Sequence, residues 1–140
     1  MTLLFPFVPR EELDDGVLRT LQELVAGRTR FTLTLSKIGE FPGVVYASPQ
    51  PAGELADWIA DLSERFPEYP PYGGEFAEIV PHATLGTWDE PDRQEVLVAR
   101  AREMAQGLLP LTCAIEDVAL LEERPPEHWR ELRRFQLGVP

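Results

Sequence analysis

The stretch that decides the fold is VPHATLG, Val80–Gly86, where a histidine stands two residues before a threonine in an apolar run. In a strand, residues two apart share a face. On that reading His82 and Thr84 point one way, and Ala83 and Leu85 point the other, toward packed helices. The chain opens with a related run, MTLLFPFVP, Met1–Pro9. Thr2-Leu3 can be laid over Thr84-Leu85. After each comes a proline-containing turn, an amphipathic helix, a strand of alternating apolar residues and a further strand. The helix stripes begin at Leu13 and Leu97, and the next strands near Phe31 and Leu111. The offset is roughly constant at about 80 residues, the mark of an internal duplication.

Working outward, Leu3–Phe7 reads as a strand ending at Pro9. Leu13, Val17, Leu21, Leu24 and Val25 keep helical spacing, with Gly27 as the stop. Phe31, Leu33 and Leu35 alternate with Thr32 and Thr34, a half-buried strand, and Gly43–Ser48 supplies its hairpin partner. Leu55, Trp58, Ile59, Leu62 and Phe66 form a second amphipathic helix, with Trp58 in the core. Pro67–Phe76 carries prolines and glycines that forbid regular structure, and it reads as a loop. A strand through His82 follows. Asp89 as N-cap and Pro91 in the first turn open a third helix with a stripe of Leu97, Ala101, Met104, Ala105 and Leu108. Leu111, Cys113 and Ile115 alternate as a strand, and Trp129–Gly138 is the last one.

The expected fold is α+β. It has two pseudo-twofold-related βαββ-like lobes, with antiparallel sheets around a central cleft and helices outside. Residues 1–140 form one bilobal domain, with repeats at about 1–50 and 79–140 and a helix and loop at 51–78 between them.

Composition narrows the function. The chain has 140 residues, 44% hydrophobic and 26% charged, which suits one soluble domain. No apolar run approaches the ~20 residues of a membrane span. Pro6 and Pro9 break the first apolar run, and no basic segment precedes it, so a signal peptide is not expected. Cys113 is the single cysteine, which points to a reducing cytoplasm without disulfides. With one cysteine and two distant histidines, no metal site is expected. The net charge of −11 argues against binding DNA or long RNA by an overall field. Small nucleotides suit it better. Seven of the 13 Lys and Arg residues lie between Arg93 and Arg134, which first suggests a solvated face.

A histidine and a hydroxyl on one strand face can serve a phosphate. The imidazole moves protons and the hydroxyl donates to an oxyanion. The alternative is a structural histidine. With PHATLG before a helix, TLLFPFVP before an earlier helix and RRFQLG near the end, the whole chain resembles the two-histidine (2H) phosphoesterase superfamily. It is most similar to the bacterial 2′-5′ RNA ligase-like proteins, which carry two H-x-T/S motifs, one per lobe. The resemblance implies metal-independent, cofactor-free chemistry on 2′,5′ or 2′,3′-cyclic phosphodiesters of RNA ends or small nucleotides. It implies that His82 is one catalytic histidine and that Thr84 and Thr2 hold phosphate oxygens. The first motif departs from the family pattern, because no histidine stands two residues before Thr2. The expectation is a natural start upstream, with a histidine directly before the position occupied by Met1, so that the chain given is truncated and impaired. The rival expectation is a degenerate 2H fold that binds a nucleotide or a protein without turnover.

Tyr46 and Tyr72 are candidate substrate contacts, Tyr46 on a strand beside the cleft and Tyr72 in a loop that could stack a base. Arg10, Lys37, Arg130 and Arg133 are candidate phosphate contacts. His128 reads as a surface residue in a turn beside Trp129. The protein is expected to be a monomer with no DNA or membrane partner.

Overall fold

The computed structural model describes residues 1–89, 93–125 and 128–139. Among them the order is α1 (Asp15–Ala26), β1 (Phe31–Phe41), β2 (Val44–Gln50), α2 (Ala52–Arg65), β3 (Ala83–Thr87), α3 (Gln94–Ala105), β4 (Leu111–Ile115), β5 (Asp117–Arg124) and β6 (His128–Gln136). The class is α+β. The chain divides into two compact units interleaved in sequence: Met1–Pro6 with Leu33–Cys113, and Phe7–Thr32 with Ala114–Pro140. Each unit therefore draws on both the 1–50 and the 79–140 stretch.

The first unit holds a four-stranded sheet in the order β3-β2-β1-β4. The pairs β1–β2 and β2–β3 are antiparallel. The β1–β2 hairpin turns at Pro42-Gly43, and Gly43 takes φ 75°, a conformation that L side chains resist. Alternation along β2 buries Val45, Ala47 and Pro49 on the core face and leaves Val44, Tyr46 and Ser48 on the other. α2 packs against β2. Its Leu55, Trp58, Ile59 and Leu62 are all buried, as the helical spacing predicts.

The third helix departs from expectation. It starts at Gln94 with Arg93 as the N-cap, so Asp89 does not cap it, and Pro91 lies outside the described residues. Val98 and Ala105 are buried, while Met104 is 65% and Leu108 69% exposed. The inward face is thus rotated from the predicted stripe. Leu108 lies past the helix end at Ala105, so helical spacing no longer sets its direction.

The second unit packs α1 on an antiparallel hairpin of β5 and β6. Asp14 caps α1, its Oδ1 accepting from the Val17 N–H at 2.9 Å. Leu21 and Val25 of α1 are buried, together with Phe135 and Leu137. β5 has no counterpart in the sequence reading, because Val118-Ala119-Leu120-Leu121 runs apolar without alternating.

Leu3–Phe7 is not a strand. Pro6 has no N–H to give a ladder. The Phe5 carbonyl instead accepts from the Tyr72 N–H at 2.7 Å. The loop Pro67–Phe76 is also more ordered than its composition suggests, with a 3₁₀ turn at Pro71–Gly74.

Candidate functional site

His82 lies just ahead of β3, which begins at Ala83. Its Nδ1 is 2.8 Å from the Val80 carbonyl oxygen. A carbonyl only accepts, so Nδ1 carries the proton and donates it. In the neutral ring that leaves the Nε2 lone pair free, the form a general base needs. Pro81 lies between the two partners and fixes its own φ, which favours this short return of the ring onto the backbone.

Two rings flank the imidazole. Phe41 meets it edge-on with centroids 5.3 Å apart, and Tyr46 does so at 5.4 Å. Phe41 and Tyr46 stack on each other at 4.4 Å with an interplanar angle of 24°. Thr84 stands directly across from Tyr46 in the β2–β3 register. Directly opposite residues of an antiparallel pair share a face. His82, Thr84 and Tyr46 are therefore gathered at one end of one sheet face.

Space for this arrangement comes from Gly39, which pairs with Tyr46 across β1–β2. A Cβ on Gly39 would sit 2.4 Å from the Tyr46 Cζ. The tyrosine ring lies where any other side chain at position 39 would stand. The same face carries Lys37, opposite Ser48. At the β4 side the hydroxyls of Thr34 and Thr112 meet at 3.1 Å. The face thus offers hydroxyls, one lysine and an imidazole framed by aromatic rings.

One orientation differs from expectation. Leu85 does not point into the helices and is 49% exposed. The register shifts between Val45, opposite Gly86, and Tyr46, opposite Thr84, so Leu85 is the extra residue of a bulge. Ala83 does take the core side, opposite the fully buried Ala47.

The other candidates fall elsewhere. Thr2 is exposed in the irregular N-terminal segment, and no described contact joins it to His82 or Thr84. The Tyr72 ring meets Phe76 edge-on at 5.6 Å, and the described contacts of Tyr72 do not reach His82. His128 is exposed at the first position of β6, in a strand rather than a turn. Arg133 lies over the Phe135 ring at 5.5 Å. Arg10 and Arg130 both reach Glu122 in the second unit. Elsewhere on that hairpin, Arg134 binds Glu131 through two nitrogens and Asp117 at 2.6 Å. Hydrogen bonds to Glu131 and then Asp117, with their charges, raise the Arg134 guanidinium above its usual value. Among the described residues no group of three or more His, Cys, Asp or Glu is placed to hold a metal ion. No helix among them is long and apolar enough to cross a membrane.

The antiparallel α+β frame defines a class of fold, and the comparisons with known proteins agree with it. The family model of the 2′-5′ RNA ligase superfamily matches residues 1–127. The chain belongs to that superfamily, the two-histidine phosphoesterases. Among solved structures it is similar to the crystal structure of TT0787 of Thermus thermophilus, with a TM-score of 0.60 and 23% identity over 94% of this chain and 74% of that one. That likeness carries the fold. No curated protein matches the chain.

Proposed function

We propose that this protein is a metal-independent two-histidine phosphodiesterase of the 2′-5′ RNA ligase type, acting on 2′,5′ or 2′,3′-cyclic phosphodiesters of RNA ends or small nucleotides. The observation that carries this reading is the His82 ring. It is fixed through Nδ1 to Val80 and flanked by Phe41 and Tyr46, with Thr84 on the same face. In hydrolysis of a 2′,3′-cyclic phosphate, water attacks phosphorus. One imidazole takes the water proton as the new P–O bond forms. The bond from phosphorus to one ribose oxygen breaks, and that oxygen receives a proton from the second imidazole. His82 serves one of these roles through Nε2. The Thr84 hydroxyl donates to a non-bridging oxygen, and Thr2 does the same from the first motif. Tyr46, and Tyr72 from its loop, contact the nucleoside. With the 5′-hydroxyl of a second strand in place of water as nucleophile, the same steps join two ends. A monomeric protein in the cytoplasm belongs to this reading.

His82 supplies one member of the acid–base pair. The test is hydrolysis of a 2′,3′-cyclic nucleotide by this chain and by a form with His-Val in place of Met1 ahead of Thr2. The two-histidine form is expected to turn over about 10²–10⁴ times faster. Equal rates would contradict the pairing. The alternative reading is a nucleotide-binding module without turnover. Binding by both forms with turnover by neither would establish it.

A further inference from the structure

The second unit carries a charge imbalance that the site around His82 does not use. Glu122 receives three arginines. Arg10 Nε lies 3.5 Å from its Oε1, and Arg124 Nε and Arg130 Nε lie 3.1 and 3.7 Å from its Oε2. Register places Glu122 directly opposite Arg130 on the β5–β6 hairpin, and Arg124, two residues on, shares its face. Three guanidinium groups and one carboxylate leave a local charge of about +2. The chain as a whole stands at −11. The Glu122 side chain is 18% exposed, whereas those of Arg10, Arg124 and Arg130 are 59%, 59% and 53% exposed. The carboxylate therefore lies at the bottom of the cluster and the guanidinium groups open to solvent.

The geometry also decides which nitrogens remain. Each of the three arginines meets Glu122 through Nε. Their terminal amino groups make no described ion pair with another carboxylate. Guanidinium groups held this close repel one another unless a further anion joins them. Arginine forks match the oxygens of a phosphate. A phosphodiester carries one negative charge, whereas a terminal phosphate monoester carries about −1.5 to −2 near neutral pH. The local excess matches the monoester.

We infer that Arg10, Arg124 and Arg130, held together by Glu122, form a binding site for the terminal phosphate monoester of a nucleotide or short oligonucleotide. The choice of a nucleotide as its carrier rests on the phosphodiesterase reading above, but the site itself does not. Binding is measured by calorimetry with a 5′-phosphorylated dinucleotide, its 5′-hydroxyl twin and inorganic phosphate. The phosphorylated dinucleotide is expected to bind about 10- to 100-fold tighter than its twin. Arg124→Gln with Arg130→Gln is expected to abolish that preference. Glu122→Gln removes the charge that holds the three guanidinium groups together and is expected to weaken binding of the phosphorylated form. A purely structural cluster would instead lose stability in Glu122→Gln with no change in affinity. Each variant is checked for folding by its melting curve. No preference in the parent protein, or one that survives the double substitution, overturns the site. Inorganic phosphate binding as tightly as the dinucleotide overturns the nucleotide carrier. His82→Ala is expected to leave this binding unchanged, so failure of the catalytic reading and failure of this site give different results.

Discussion

The Tyr46 face of β1–β3 and the β5–β6 hairpin differ in chemistry. The first gathers an imidazole, hydroxyls and aromatic rings around a space kept by a glycine, with one lysine nearby. The second concentrates fixed positive charge on a single carboxylate. A proton-transfer group must gain and lose charge, so neutral neighbours suit it. A group that only holds an anion needs permanent charge, which arginine supplies at every working pH. On the two proposals above, an acidic chain handles phosphate through positive charge that is local.

The largest expected effect separates the two units. Phe135 is 1% exposed and anchors the second unit beneath α1. Phe135→Ala is expected to cost about 3–5 kcal/mol. Hydrogen exchange should show protection lost across α1, β5 and β6 while β1–β3 keep theirs. Simultaneous loss in both units would break the contrast drawn here.

A smaller change sharpens the first site alone. Gly39→Ala puts a methyl 2.4 Å from Tyr46 Cζ and must displace that ring. Overpacking of this kind costs about 1–3 kcal/mol. NMR of the His82 ring protons should shift as the Tyr46 ring moves, and turnover should fall by up to about 10²-fold. The response of Arg124 and Arg130 to phosphate should not change.

The smallest effect lies at a cap. Asp14→Ala removes the acceptor for the Val17 N–H and should lower stability by about 1 kcal/mol, read as a shift in denaturation midpoint. A larger loss would mean that Asp14 does more than cap α1.

What could be read in the sequence follows from what is local. α1 and α2 announce themselves by stripes that repeat within one helix, and the β1–β2 hairpin by alternation around Pro42-Gly43. His82, Thr84 and Tyr46 are legible as residue types in strand-like runs, although β3 itself begins one residue after His82. Gly39 and Phe41 are not, because their importance lies in cross-strand register, and a glycine shows no chemistry of its own. The Val80 bond that fixes the His82 tautomer depends on a backbone path that no spacing specifies. β5 escaped because a continuous apolar run has no period to detect, and Leu3–Phe7 misled because apolar character outweighed Pro6. Arg10 and Arg130 stood out as basic residues, but their meeting at Glu122 links positions more than a hundred residues apart in sequence.

The most direct measurement of the central claim is single-turnover hydrolysis of a 2′,3′-cyclic nucleotide by the form with His-Val ahead of Thr2, with and without His82→Ala. The account predicts a rate lower by about 10²–10⁴ in the variant, with nucleotide binding and melting temperature unchanged. An unchanged rate, with the variant merely less stable, would show that His82 is a structural residue and would contradict the account.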